Sequence, residues 1–370
     1  MSELRAQQIT SKLDADGTLT VELGEIALPA PTGRQVLVKV EAAPINPSDL
    51  ALMFGVADLA QARFEPGRIV ATMPEAATRA MAGRHGEAMP LGNEGAGTVI
   101  AAGEDPAAQA LLGQRVAAAG GRMFASHVLL DAAACLPLGE GMSAEAGAAA
   151  FVNPLTALGF VETMRRDGFT GIVHTAAASN LGQMLVKLCA EEQVPLVCVV
   201  RSPAQVELLR GLGANHVVDS STPTFFDDLV AAIAATGAML GFDAIGGGRM
   251  ADTLLTAMER VAARGQAYSR YGTSTRKKVY IYGSLDFGPT VLSRGFGLTW
   301  DLAGWLLFPF MTAAGAETVA RMRARAVAGL TTTFASGYAR RLSLTEALTR
   351  DAVLGYSVRA TGEKVLIVPD

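Results

Sequence analysis

The stretch from Gly171 to Ala190 reads Gly-Ile-Val-His-Thr, then Ala176-Ala-Ala-Ser-Asn-Leu-Gly182, then Gln-Met-Leu-Val-Lys-Leu-Cys-Ala. The opening apolar run suits a buried parallel strand and the small residues suit a tight turn. Leu181, Met184, Leu185 and Leu188 then fall at helical spacing. A helix that starts directly after such a turn offers backbone N–H groups and its positive dipole end to an anion. The chemistry on offer is therefore diphosphate binding, through Ala178, Ser179, Asn180 and Leu181. Ala177, Ser179 and Gly182 stand where a dinucleotide fingerprint carries glycines, so the motif is degraded and by itself equals any strand-turn-helix. A second apolar run, Leu196-Val-Cys-Val-Val200, ends at Arg201-Ser202-Pro203. An acid at that place would bond ribose hydroxyls, whereas Arg201 and Ser202 suit a 2′-phosphate, which the planar guanidinium fork can grip. Alone, Arg201 is a solvated strand-end charge; with both strands in register the pair reads as an NADPH site.

A second polar constellation lies in Ala42-Ala-Pro-Ile-Asn-Pro-Ser-Asp49, where prolines would hold Asn46, Ser48 and Asp49 rigidly. The same residues form a helix-entry signal, with Ser48 or Asp49 as the cap. Glu94, inside Leu91-Gly-Asn-Glu-Gly-Ala-Gly97, is expected to be buried against a partner, in a structural role. Cys135, Cys189 and Cys198 are far apart, and His85, His127, His174 and His216 form no H-x-x-x-H pair. Zinc spacing is absent, and buried free thiols are expected.

These groups need elements to carry them, and 370 residues suffice for two domains. Half the residues are hydrophobic, 18% are charged and the formal net charge is -4 without a basic block. That composition suits a compact protein and gives nucleic acid no obvious footing. The N-terminus lacks a signal peptide's apolar core, and Leu302–Met311 is too short to span a bilayer, so a cytoplasmic protein with no membrane partner is expected. Leu302–Met311 could be a core helix or an interface.

Residues 5–40 alternate as short antiparallel strands. Residues 54–90 read as a long irregular stretch of the kind that forms lids or binding loops. A helix is expected over 145–166, another over 206–214 with a glycine cap, and a strand over 215–220. Leu240–Gly248 is an apolar strand ending in glycines, and Val279–Leu285 reads as the last strand of this set. Arg321, Arg323 and Arg325 form a solvated helix face. A strand, a helix over 343–352 and a strand over 364–368 close the chain.

Ile45-Asn-Pro-Ser-Asp49, Gly92-Asn-Glu-Gly-Ala-Gly97, Asn153-Pro-Leu-Thr-Ala157, the Ala176–Gly182 turn and Gly362-Glu-Lys-Val-Leu-Ile-Val-Pro369 follow the order seen in medium-chain dehydrogenase/reductases. The chain resembles the zinc-free branch of NADPH:quinone oxidoreductases and 2-enoyl reductases over nearly its whole length. The resemblance implies an α/β architecture: a GroES-like β-rich catalytic domain over 1–155, a Rossmann doubly wound parallel-sheet domain over 156–308, and a return to the first domain over 309–370. It implies NADPH between the two domains and a homodimer. Asn46 and Asn93 stand where zinc-dependent relatives have a Cys and a His. Thr156 takes a nicotinamide contact by resemblance, or else bonds its own helix turn. Ser220 falls where relatives often place a Tyr or Arg near the adenosine phosphate. Cofactor contacts are expected from Asn46, Asn153, Thr156, Gly246, Tyr282, Gly283, Leu285 and Lys364 besides those of the turn and Arg201, Ser202 and Ser220.

Hydride transfer to a conjugated carbonyl needs orientation, a dry pocket and a donor for the developing oxyanion. Asn46 is the candidate that orients nicotinamide or substrate, Asp49 supports its loop, and Tyr271 or Tyr282 is the candidate substitute proton donor, neither being placed by the sequence. Enoyl reductases similar to this chain carry a Tyr shortly after the Asn-Pro-Ser-Asp segment, but Met53-Phe-Gly-Val-Ala57 has none. The expected function is metal-free, NADPH-dependent reduction of a small electrophilic quinone or enone. The alternatives are a 2-enoyl-thioester reductase and a non-catalytic NADPH-binding sensor.

Overall fold

Alternating apolar and polar residues in Leu4–Leu13 and Thr18–Leu28 pair into a long antiparallel hairpin. Around it forms a five-stranded sheet in the order Arg63–Glu65, Arg68–Thr72, Thr18–Leu28, Leu4–Leu13, Ala88–Pro90. The computed structural model describes residues 4–358 and 364–369, and these divide into two compact units, Met1–Val152 with Arg325–Asp370, and Asn153–Ala324. The sheet above belongs to the first. Its strands correct the reading of residues 54–90 as an open loop: three strands, a helix at Glu75–Ala80 and a 3-10 turn at Ala82–Arg84 occupy that stretch. Each strand is only three to five residues long, too short for a period of two to stand out.

The second sheet of this unit runs Cys135–Pro137, Arg115–Ala119, Glu94–Ala102, Gln35–Pro44, Val365–Ile367, Arg340–Leu342, with His127–Asp131 also paired to Gln35–Pro44. Close approach of Glu94–Ala102 to Gln35–Pro44 depends on Gly97, where a Cβ would lie 2.0 Å from Lys39 O. The chain's last strand thus completes a sheet begun near its start. The helix expected over 343–352 instead begins at Arg350 and ends at Ser357, after a 3-10 turn at Glu346–Leu348. Ser343 and Glu346 bond each other's backbone N–H, which holds the turn apart from the helix. Gly362 and Glu363 of the C-terminal motif lie outside the described residues.

The second unit carries six parallel strands in the order His216–Asp219, Leu196–Val200, Ile172–His174, Leu240–Asp243, Lys277–Ile281, Trp300–Gly304. This is the doubly wound Rossmann order, whose direction reverses between Ile172–His174 and Leu240–Asp243. Lys277–Ile281 is therefore not the last strand. Trp300–Gly304 follows it, and the helix Leu307–Ala314 comes next. Five residues of strand abutting an apolar helix read as one apolar run, which hid the boundary. The stretch 145–166 likewise divides, into Ala144–Gly147 and Val152–Arg166. Phe310 stacks on Trp305, whose indole N–H donates to Thr163 Oγ1 at 3.0 Å. Residues 309–324 are thereby bound into the second unit, and the chain returns to the first at 325, later than the sequence reading places it.

Candidate active site

In the second unit the strand Ile172–His174 gives way to Ala176, which takes a left-handed conformation at φ 50°. Ser179 then caps the helix Asn180–Glu191, its Oγ accepting from Gly182 N at 3.2 Å. Gly182 has no room for a side chain, since a Cβ there would lie 2.1 Å from Ala177 O. This third position of the fingerprint keeps its glycine because helix and strand pack tightly there. Ala178 and Leu181 are buried, while Ser179 and Asn180 are half-buried, so the helix start, not its side chains, is the anion-facing feature.

Arg201 and Ser202 lie at the end of Leu196–Val200, and Ser202 caps the helix Pro203–Gly211 by accepting from Gln205 N. Gln205 Oε1 in turn accepts from Arg201 N. The exposed Arg201 guanidinium makes no ion pair among the described residues. Ser220 follows the next strand, its N–H donating to Val200 O at 2.8 Å.

At the switch point the structure adds residues that sequence reasoning missed. Thr175 Oγ1 donates to Asp243 Oδ1 at 2.8 Å and accepts from Ala244 N at 2.8 Å. Asp243 also accepts from Ile245 N and Gly246 N. Burial raises its carboxyl above the ordinary range while these bonds pull the other way. Asp243 thereby shapes the turn into Gly246, whose φ is 81°. A Cβ on Gly246 would lie 2.7 Å from Gly283 O, and one on Gly283 2.6 Å from Ala244 O. The glycines serve this mutual backbone approach. An acid closing an apolar strand just before a glycine run was the available signal.

Tyr282 is placed differently from the sequence expectation. Its hydroxyl is 2.7 Å from His174 Nε2, in a cluster where Phe160 stacks on Phe242 and meets Tyr282 and Trp305 edge-on. Burial pushes the Tyr282 phenol far up and His174 down to about 3. A phenol held in that way braces the core and is not a free proton donor. Leu285 is exposed, Asn153 half-buried, and Thr156 buried in Val152–Arg166.

The first unit gathers the other constellation. Asn46, rather than Ser48 or Asp49, occupies the cap position of Pro47–Met53, and Asp49 Oδ2 accepts from Asn46 N at 2.8 Å. The second Asp49 oxygen accepts from Asn93 N at 2.8 Å, tying two loops together. Asn46 Nδ2 donates to Glu94 Oε1 at 2.9 Å, while Glu94 Oε2 accepts from Phe151 N and Val152 N. Glu94 is the buried, partnered acid that the sequence led us to expect. Burial raises Asp49 to about 7, and raises Glu94 against the pull of Lys364 and its hydrogen bonds. Lys364 lies here, its amine driven down by burial although Glu94 and Asp49 oppose that.

Comparison with known proteins agrees with this arrangement. Residues 32–151 match the alcohol dehydrogenase GroES-like domain. A Mesorhizobium loti protein whose proposed activity is NADPH:quinone reduction superposes with a TM-score of 0.75 at 28% identity, over 100% of this chain and 99% of that one. The chain thus carries an alcohol dehydrogenase GroES-like domain and is similar over its whole length to that reductase. The human mitochondrial enoyl-[acyl-carrier-protein] reductase is 26% identical over 77% of this chain and 70% of its own. A mycobacterial protein solved with NADPH shares the fold at 17% identity and a TM-score of 0.70, over 98% of this chain and all of that one. Asn46 and Asn93 are the amides at the two positions where the sequence resemblance sets a Cys and a His of zinc-dependent relatives. Among the described residues no three His, Cys, Asp or Glu side chains converge as a metal site.

Proposed function

We propose that this dehydrogenase/reductase uses NADPH to deliver hydride to a quinone or an α,β-unsaturated carbonyl, without a metal. One observation carries the cofactor part: a capped helix start and an arginine with no ion pair among the described residues stand at the ends of neighbouring parallel strands beside the switch point. That donor set suits a pyrophosphate and a 2′-phosphate together. When bound, the nicotinamide supplies hydride. Arg201 and Ser202 would hold the 2′-phosphate, the Ser179–Leu181 turn the pyrophosphate, and Ser220 the adenosine end. Asn46 would orient nicotinamide or acceptor from a loop fixed by Asp49. Asn153, Thr156, Gly246, Gly283, Leu285 and Lys364 complete the proposed cofactor surroundings, and Tyr282 supports them from the core.

The decisive assay follows NADPH oxidation against a panel of quinones and enones, with Arg201→Ala alongside. Turnover of either class with selective loss of NADPH affinity in the variant supports the reading; no oxidation across the panel removes it. A 2-enoyl-thioester substrate is the second reading, favoured by the similarity to the human enoyl reductase. Faster turnover of a crotonyl thioester than of any simple enone would select it. The three buried free thiols suit a reducing compartment, and we place the protein in the cytoplasm as a homodimer.

A further inference from the structure

Among the described residues of the first unit, Lys364 Nζ and Asn46 Oδ1 are two of five buried polar side-chain atoms with no hydrogen-bond partner, the Tyr338 hydroxyl being another. Lys364 and Asn46 belong to one strand pair. Val365–Ile367 runs antiparallel to Gln35–Pro44 with Leu366 opposite Pro44 and Ile367 opposite Ala43, and Ile45 N donates to Val365 O at 3.0 Å. Carrying that register on sets Lys364 opposite Asn46, so both side chains leave the same face. The charged groups around Lys364 are Glu94 and Asp49, and both carboxylates are already engaged by Asn46, Asn93, Phe151 and Val152. The Tyr338 ring lies 5.9 Å from Nζ. Glu94 fixes the Asn46 amide with Nδ2 inward, which leaves Oδ1 as an acceptor. Burying an unpartnered amine is costly, so a fold that keeps one beside an unpartnered carbonyl is built for a third group. That group must accept from Nζ and donate to Oδ1. An oxygen that arrives as a carbonyl and leaves as a hydroxyl does both.

We propose that Lys364 and Asn46 form the oxygen subsite for the acceptor, with Lys364 as the catalytic proton donor. This rests on the reductase reading above. Hydride from NADPH adds its electron pair to the conjugated carbon, and the displaced π pair moves to the carbonyl oxygen. There an O–H bond forms as one Nζ–H bond breaks, which leaves a neutral amine and an enol that donates to Asn46 Oδ1. The enol tautomerises to the ketone or hydroquinone, and solvent reprotonates the amine. Lys364 thus replaces the tyrosine that Met53–Ala57 lacks.

The probe is 4-nitrophenol, an enolate mimic whose visible band reports its ionisation. The wild-type protein is expected to bind it as phenolate at a pH where the free compound is mostly protonated. Lys364→Met should weaken phenolate binding at least about tenfold, as loss of a charge-assisted bond requires, and Lys364→Arg should keep part of the spectral shift. Phenolate binding by Lys364→Met as tight as wild type overturns the proposal. Should that variant fail to fold, the wild-type spectrum decides, because a bound probe without an ionisation shift overturns it equally. NADPH titration of the same samples separates the two readings. Intact NADPH binding and enone reduction without the phenolate shift removes this subsite alone, whereas a phenolate shift without NADPH binding removes the reductase reading.

Discussion

Single atoms decide much of what this protein can bind. The Arg201 guanidinium has no ion pair among the described residues, so it is available to a phosphate at no cost to the fold. Arg201→Ala should weaken NADPH by roughly ten- to a hundredfold, the worth of about 1.5–3 kcal/mol for bonds to a charged group. NADH affinity should stay nearly unchanged, and fluorescence titration with both nucleotides reads the difference. Gly182 tests the turn from the other side. Its missing Cβ lets the helix sit on Ala177 O at a distance no side chain allows, so Gly182→Ala must push the helix start away. Loss of NADPH binding together with a lowered Tm is expected; unchanged calorimetry would show that the packing gives way freely. Glu94→Gln turns an NH2 either toward the donor at Asn46, removing one of three acceptor contacts, or toward those at Phe151 and Val152, removing two. A stranded buried donor costs about 1–3 kcal/mol, measurable as a lower midpoint in denaturant with an unchanged slope.

Elements carry those atoms to their places, and their pH behaviour follows from what they bury. His174 ends the first parallel strand without solvent exposure and with its ring nitrogen on Tyr282. Burial lowers it from 6.5 to about 3, so the unfolded chain binds a proton through that interval and the folded chain does not. Stability should therefore fall as pH drops from 6.5 toward 3, with a slope approaching about 1.4 kcal/mol per pH unit from this group. His174→Gln should flatten that part of the profile in denaturant titrations at stepped pH. How far such elements could be read in the sequence depended on length. The strand-turn-helix at 171–190 and the Arg201 strand end were legible because consecutive apolar residues and a change of period mark them. The hairpin at Arg63–Thr72 and the split of Trp300–Gly304 from Leu307–Ala314 were not, because short strands and adjoining apolar runs leave no period to count. Asn46 was legible as a polar loop residue, yet its bond to Glu94 joins residues far apart in sequence. The meeting of Thr175 with Asp243, and the register that sets Lys364 opposite Asn46, also depend on strand pairing, which no local pattern reveals.

At the level of the whole chain, the six-stranded sheet ends on an edge that pairs with no further strand among the described residues. Trp300–Gly304 bonds Lys277–Ile281 on one side only, and a row of free backbone groups is a template for another strand. Leu298, Leu306 and Phe308 flank it with 71%, 65% and 64% of their surface exposed, an apolar border that a solitary protein rarely leaves in water. A second copy of the same edge would supply both the backbone bonds and the apolar cover, and a two-fold contact would close without growing into fibres. The proposed dimer should therefore scatter light at twice the chain mass of 38.4 kDa, and its Tm should rise with protein concentration because dissociation accompanies unfolding. Leu306→Asp with Phe308→Asp is the discriminating variant. Leu306 is the cap position of Leu307–Ala314 and has no side-chain capping bond, so an Asp there favours the helix while placing charge in the contact. The variant should keep its fold, halve in mass and lose the concentration dependence of Tm. A wild-type protein that remains at 38.4 kDa across the concentration range would show the edge to be free in solution.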